Sequence, residues 1–225
     1  MSIYTQFYSV HTVKNKIFSG DVKIDDVLAA GDFGIGTFNQ INGEMVAIDG
    51  NVYRTKSDGS AEKIVDTSEK TPYSIMTHFK SEKEETISNM PLVDVISRLD
   101  QLRENSERDI LAVKVSGDFT WVRSRAPDLT PPPYKDLGEL IADQLSTTFN
   151  DISGDVVGFY TPEYLGALGV PGYHLHFIDS SRSHGGHMQD LFVKEGSISI
   201  QKMSELRIHN PGGEVQEAEY EALTS

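Results

Sequence analysis

The stretch Tyr173-His174-Leu175-His176-Phe177 constrains this chain more than any other. In an extended strand, residues two apart point to one face at a spacing of roughly 6.6 Å, so both imidazoles of an H-x-H pair can lean over a single ion. The chain then runs through the polar segment from Ile178 to Ser183 and reaches Gly185-Gly186-His187. Two glycines give the backbone freedom to turn back, which predicts a neighbouring strand that presents His187 beside the pair. Three imidazoles around Zn2+ leave its fourth position open, which is the catalytic rather than the closed structural arrangement. An H-x-H pair alone is more often just hydrogen-bonded in a half-buried strand face. The third histidine behind the Gly-Gly step, in a chain with no cysteine, favours a metal site made by His174, His176 and His187. His184 precedes the Gly-Gly step and is the alternative third ligand.

Elsewhere hairpins dominate. Asn42-Gly43 and Asp49-Gly50 separate short apolar runs between Gly34 and Tyr53 and signal tight turns between strands. Pro91 followed by Leu92, Val95, Ile96, Leu99 and Leu102 has helical spacing, with Ser88 or Asn89 as the expected cap. Strand patterns follow at Asp109 to Val115 and Phe119 to Arg125, and Pro131-Pro132-Pro133 interrupts them. Leu137, Leu140, Ile141, Leu145 and Phe149 predict a second amphipathic helix. Further strands are expected at Asp155 to Tyr160, Tyr173 to Ile178, Met188 to Val193 and Ser197 to Gln201. The order implies an α+β fold of mixed and antiparallel sheets with a few helices, arranged as two similar half-domains. The expected division is a mixed-sheet half over 1–115 and a second half over 116–225 that carries the histidines, with one compact domain as the alternative.

Charge narrows the partners. A net charge of -14 argues against nucleic acid, which calls for clustered Lys and Arg. No apolar run is long enough to span a bilayer, so no membrane partner is expected. The N-terminus lacks the basic and apolar regions of a secretory signal, and the expected setting is cytoplasmic. An anionic substrate would have to approach against the overall field and be met by local cations.

The histidine segment also carries a resemblance. Gly172 to Phe177 with Gly185-Gly186-His187 resembles the zinc motif of the α-acetolactate decarboxylases, including the spacing between the second and third histidines. Gly34-Ile35-Gly36-Thr37-Phe38 with Asn42-Gly43-Glu44-Met45 is similar to the N-terminal signature of that family. Pro72 with Thr77-His78-Phe79 matches too, as do Gly117-Asp118-Phe119 leading to Arg125 and Pro133-Tyr134, and Gly158-Phe159-Tyr160-Thr161-Pro162. The resemblance implies roles that the residues alone do not. Glu44, by itself a solvated strand carboxylate, falls on a carboxylate that projects into the family's active site. Arg125, by itself an edge-strand cation, falls on the active-site arginine, with Arg123 as its alternative. Thr37 is implied to line the pocket and hydrogen-bond substrate.

The implied substrate is a small 2-hydroxy-3-oxo acid, acetolactate, and the implied assembly is a homodimer. Loss of carbon dioxide from such an acid drives an electron pair toward the ketone and yields an enediolate. The family's zinc would act as a Lewis acid and Arg125 as a fixed cation. A carboxylic acid would then protonate one face and give acetoin. Two other classes fit the same histidines: a zinc hydrolase with Glu44 as general base, and a non-catalytic metal-binding protein.

The tail departs most from the resemblance. Such a polar terminus is ordinarily frayed, yet the family has a second active-site carboxylate near its C-terminus. Glu217 is the residue matched to it, and Glu219 is the runner-up. Truncation after Gly213 is therefore expected to leave folding and zinc binding intact and to remove most turnover. A truncated chain that makes acetoin at the full rate, with unchanged stereochemistry, would reduce the tail to solvated chain.

Overall fold

The computed structural model describes residues 1–104 and 107–210. Two sheets carry the fold. The first has seven strands in the order Glu205–His209, Ile3–Phe7, Ser74–Thr77, Phe33–Thr37, Glu44–Ile48, Asn51–Thr55 and Ala61–Lys63. Its first pair is parallel and the others antiparallel, so the sheet is mixed. The second is antiparallel: Leu111–Arg125, Ser146–Thr161, Gly172–Asp179, Gly185–Lys202 and Lys83–Pro91. Because Leu111–Arg125 also pairs with Gly185–Lys202, the first four strands of this sheet close on themselves. The described residues add four α-helices, Val10–Lys14, Ile24–Ala29, Leu92–Leu102 and Leu137–Asp143, two 3-10 turns and a small sheet of Val22–Lys23 with Lys70–Thr71. None among the described residues is long and apolar enough to cross a membrane.

Period-2 alternation decides which way the histidines face. On Gly172–Asp179, Leu175 and Phe177 point into the closed sheet, where they join Val113, Val122, Val156, Leu191 and Val193. The intervening positions face the first sheet instead, and Ile178 meets Tyr4, Ile35, Val46, Ile75 and Phe159 in the core between the sheets. His174 and His176 therefore sit on the wall of the inter-sheet layer. A third cluster packs Ile24 and Val27 against the opposite face of the first sheet.

Segments do not map simply onto sheets. Residues 115 and 116 both lie inside Leu111–Arg125. Lys83–Pro91 belongs to the second sheet, and Glu205–His209 returns to the first. The expected short strands at Met188 to Val193 and Ser197 to Gln201 are one strand, Gly185–Lys202.

Two helix expectations are corrected. Ser88 and Asn89 cap nothing, because both belong to Lys83–Pro91; Pro91 holds the N-cap position with no side-chain hydrogen bond. The second helix stops at Asp143. Its apolar spacing runs on by coincidence, because Leu145 is 79% exposed and Phe149 lies in the strand Ser146–Thr161, packed beside Phe177. Thr147 and Thr148 favour the pleated chain over the helix through their branched β-carbons.

The helix Leu92–Leu102 is held by Val95 and Leu99, both buried against the closed sheet. Leu99→Ala is expected to cost about 2–5 kcal/mol of stability, whereas Leu145→Ala should change it by less than about 0.5 kcal/mol. Denaturant unfolding of both variants checks the contrast.

Candidate metal centre

The site is built from strand register. His176 stands directly across from His187, and His187 stands directly across from Arg125 on its other side. Cross-strand partners share a face at a Cβ separation of about 4.5–5.5 Å. Arg125, His187 and His176 thus form a row over three strands, with His174 two residues along from His176. The three imidazole centroids lie 5.1, 5.1 and 5.2 Å apart. One ring nitrogen from each falls within 4.8 Å of the others.

Gly185 and Gly186 do not make the turn that the sequence suggested. Asp179 closes it: its Oδ1 accepts from the backbone N–H groups of Ser183 and His184 at 2.8 and 3.0 Å, and Arg182 supplies a left-handed residue at φ 59°. The glycines lie in the strand itself and permit close approach. A β-carbon at Gly185 would meet the Phe177 carbonyl oxygen at 2.3 Å, and one at Gly186 would meet that of Arg125 at 2.7 Å. Larger residues would force apart the strands that carry His176 and Arg125.

The imidazoles are oriented from across the inter-sheet gap. The Nδ1–H of His176 donates to the Met45 carbonyl at 2.9 Å, which leaves the Nε2 lone pair pointing at the cluster. That Nε2 lies 3.3 Å from Nε2 of His174, close to the roughly 3.3 Å between two ligand nitrogens of a tetrahedral zinc. Nδ1 of His174 is buried without a partner. Burial lowers the pKa of all three rings. His174 is held well below the ordinary value by burial and by its two neighbours. His176 falls to about 3 through burial and His187, opposed by the Met45 hydrogen bond, and His187 falls to about 4 through burial and Arg125. Neutral, converging imidazoles are the ligand form of histidine, so the residues present fit a divalent metal.

Glu44 reaches the cluster from the first sheet, its Oε2 3.7 Å from Nε2 of His176. Gly43 turns the chain into that strand at φ 86°. Burial pushes the Glu44 carboxyl up to about 8 against the opposing pull of Arg125. A dication among the imidazoles would draw it back down. Arg125 donates to the carbonyl of Ile141, near the end of the helix Leu137–Asp143, at 3.4 Å. Arg123 instead faces solvent and pairs with Asp190 at 3.3 Å. Thr37 is directly across from Glu44, buried, and donates its hydroxyl proton to the Gly43 carbonyl at 2.7 Å. His184 turns away to Asp179, 3.4 Å from its Oδ2. Glu217 and Glu219 lie outside the described residues. Two contributors escaped the sequence reading, the carbonyls of Met45 and Ile141. Backbone oxygens leave no mark in residue identity.

A closed antiparallel sheet packed on a mixed one, with three convergent imidazoles on the inner wall, defines a β-rich protein with a three-histidine site fit for a metal. Comparison with known proteins makes this specific. A profile of the alpha-acetolactate decarboxylases matches residues 4–222. The chain is 38% identical over 184 residues to the alpha-acetolactate decarboxylase of Methanosarcina mazei, covering 82% of this chain and 64% of that one, just under two thirds of its length. It is 33% identical to that of Klebsiella aerogenes, covering 93% and 80%. The crystal structure of alpha-acetolactate decarboxylase from Bacillus subtilis strain 168 superposes with a TM-score of 0.90 at 30% identity, covering 94% and 90%. The chain belongs to the alpha-acetolactate decarboxylase family, whose members are carboxy-lyases.

His187→Ala is expected to abolish stoichiometric binding of a divalent metal, and His184→Ala to leave it intact. Elemental analysis of the two purified variants checks the assignment; full metal content in His187→Ala would overturn it.

Proposed function

We propose that the protein decarboxylates 2-acetolactate to acetoin and carbon dioxide. The observation that carries this reading is the convergence of His174, His176 and His187 with Glu44 and Arg125 in a chain of this family. His174, His176 and His187 would hold the metal, with Zn2+ the proposed ion. When bound, that ion supplies a Lewis acid that withdraws charge from the reacting oxygens.

The remaining work falls to the chain. Arg125, fixed between His187 and the Ile141 carbonyl, holds a positive charge where negative charge develops on the substrate. The bond from the carboxylate carbon to C2 breaks, carbon dioxide leaves, and the electron pair moves toward the ketone oxygen to form an enediolate. Glu44 then delivers one proton to one face of the enediolate carbon. Thr37, with its own proton on Gly43, keeps its oxygen lone pairs for a substrate hydroxyl. A tail carboxylate, Glu217 or Glu219, is the proposed second acid.

Racemic acetolactate supplied to the zinc-loaded protein is expected to yield acetoin and carbon dioxide in equal amounts. Arg125→Lys should keep its metal and lose about 100-fold or more in kcat, and Glu44→Gln should lose about 100-fold or more as well. Ester hydrolysis without acetoin would replace this reading with a hydrolase. Metal-dependent melting without any turnover would replace it with a binding protein.

A further inference from the structure

The hairpin of Asn51–Thr55 and Ala61–Lys63 touches both halves of the site. On one side Thr55 stands directly across from Glu44, so the two side chains share the face that looks at the histidines. On the other, the hairpin is bonded to the approach of the His187 strand. Gly185 donates its N–H to the Gly59 carbonyl at 3.0 Å, Ala61 donates to the Ser183 carbonyl at 2.7 Å, and Ser60 bridges His184. A continuous backbone path therefore runs from the strand of the carboxylate to the strand of the third imidazole.

Thr55 occupies the corner of that path and is fully buried. Its Cγ2 methyl lies so near Gly185 that a β-carbon there would come within 2.9 Å of it. Its hydroxyl reaches the Glu44 carbonyl only at 3.4 Å, long for an O–H···O bond, whose usual distance is about 2.7–2.8 Å. The methyl, rather than the hydroxyl, is thus the part of Thr55 that packs over Gly185, and with the backbone bonds of the hairpin it holds the spacing between the two strands. The Glu44 carboxylate depends on that spacing. Among the described residues no side chain donates a hydrogen bond to it, and its position relative to His176 follows from its backbone.

We propose that Thr55 is a positioning residue whose methyl contact with Gly185 sets the distance between the Glu44 carboxylate and the three-histidine centre. The consequence for turnover rests on the decarboxylase reading, while the geometric consequence does not. All three histidines belong to the closed sheet and are registered with one another independently of the hairpin. A change at Thr55 should therefore move the carboxylate without loosening the metal.

Two variants separate the methyl from the hydroxyl. Thr55→Ser removes the methyl and keeps the hydroxyl; Thr55→Val keeps the shape and removes the hydroxyl. In Thr55→Ser, kcat is expected to fall about tenfold or more, because a displacement on the order of 1 Å in a reacting group can cost about 100-fold. KM and zinc affinity should stay near wild type, and Thr55→Val should restore most of kcat. In the cobalt-substituted protein, the visible spectrum should shift in Thr55→Ser and not in Thr55→Val, as the carboxylate changes its distance from the ion. Wild-type kcat and spectrum in Thr55→Ser would overturn the proposal, as would loss of zinc affinity in step with kcat, which would make Thr55 part of the metal scaffold. Absence of acetoin from the wild-type protein would instead defeat the decarboxylase reading and leave the spectral test of Thr55 standing.

Discussion

An imidazole has two nitrogens, and the use of one dictates what the other can do. His176 commits Nδ1–H to the Met45 carbonyl across the gap between the sheets, and this bond turns a buried ring into an oriented ligand. It also pins the closed sheet to the strand that begins with Glu44, because Met45 is the next residue. Together with the bonds of the hairpin to Gly185 and Ser183, it gives the carboxylate and the imidazoles a shared reference. The register of Gly172–Asp179 against Gly185–Lys202, and of the latter against Leu111–Arg125, then places every other charged group in the row.

Such a site is electrostatically expensive before a ligand arrives. The three imidazoles stay neutral chiefly because burial disfavours their charged forms, with neighbouring rings adding to this at His174 and His176 and Arg125 at His187. A carboxyl group shares the site with a guanidinium, and burial raises the Glu44 pKa against the opposing pull of Arg125. Exposed acids such as Asp58, Glu84 and Asp136 contribute to the overall charge of -14 away from the cluster. Beside the histidine cluster, Arg125 supplies the local positive charge that a small anion would meet.

The strand carrying His174 and His176 was readable because period-2 alternation is a local property, and Leu175 and Phe177 obey it as strictly as the histidines do. The helix Leu92–Leu102 was readable for the same reason, except at its start. There Asn89, at φ 48°, belongs to a strand distortion and not to a cap. Tertiary context overrode the local signal where the helix pattern ran on past Asp143 into the start of a strand that pairs there with residues over twenty positions away in sequence. The Gly-Gly pair was read as a turn, because nothing local distinguishes a glycine that bends from one that lets two backbones approach. Glu44 and Arg125 gained their roles from family resemblance; their own neighbours in sequence describe ordinary surface residues.

The parallel pairing of Ile3–Phe7 with Glu205–His209 unites the two ends of the described chain, and Ser2 and Ser204 hydrogen-bond across 202 positions of sequence. On the ribosome Ile3–Phe7 emerges about 200 residues ahead of Glu205–His209, the strand that covers its outer edge. Until Glu205–His209 is made, that edge is an open template beside Tyr4 and Phe7, side chains that end up buried. The first sheet is thus completed only when these two distant segments meet, and nascent chains are most exposed to mispairing with one another before that.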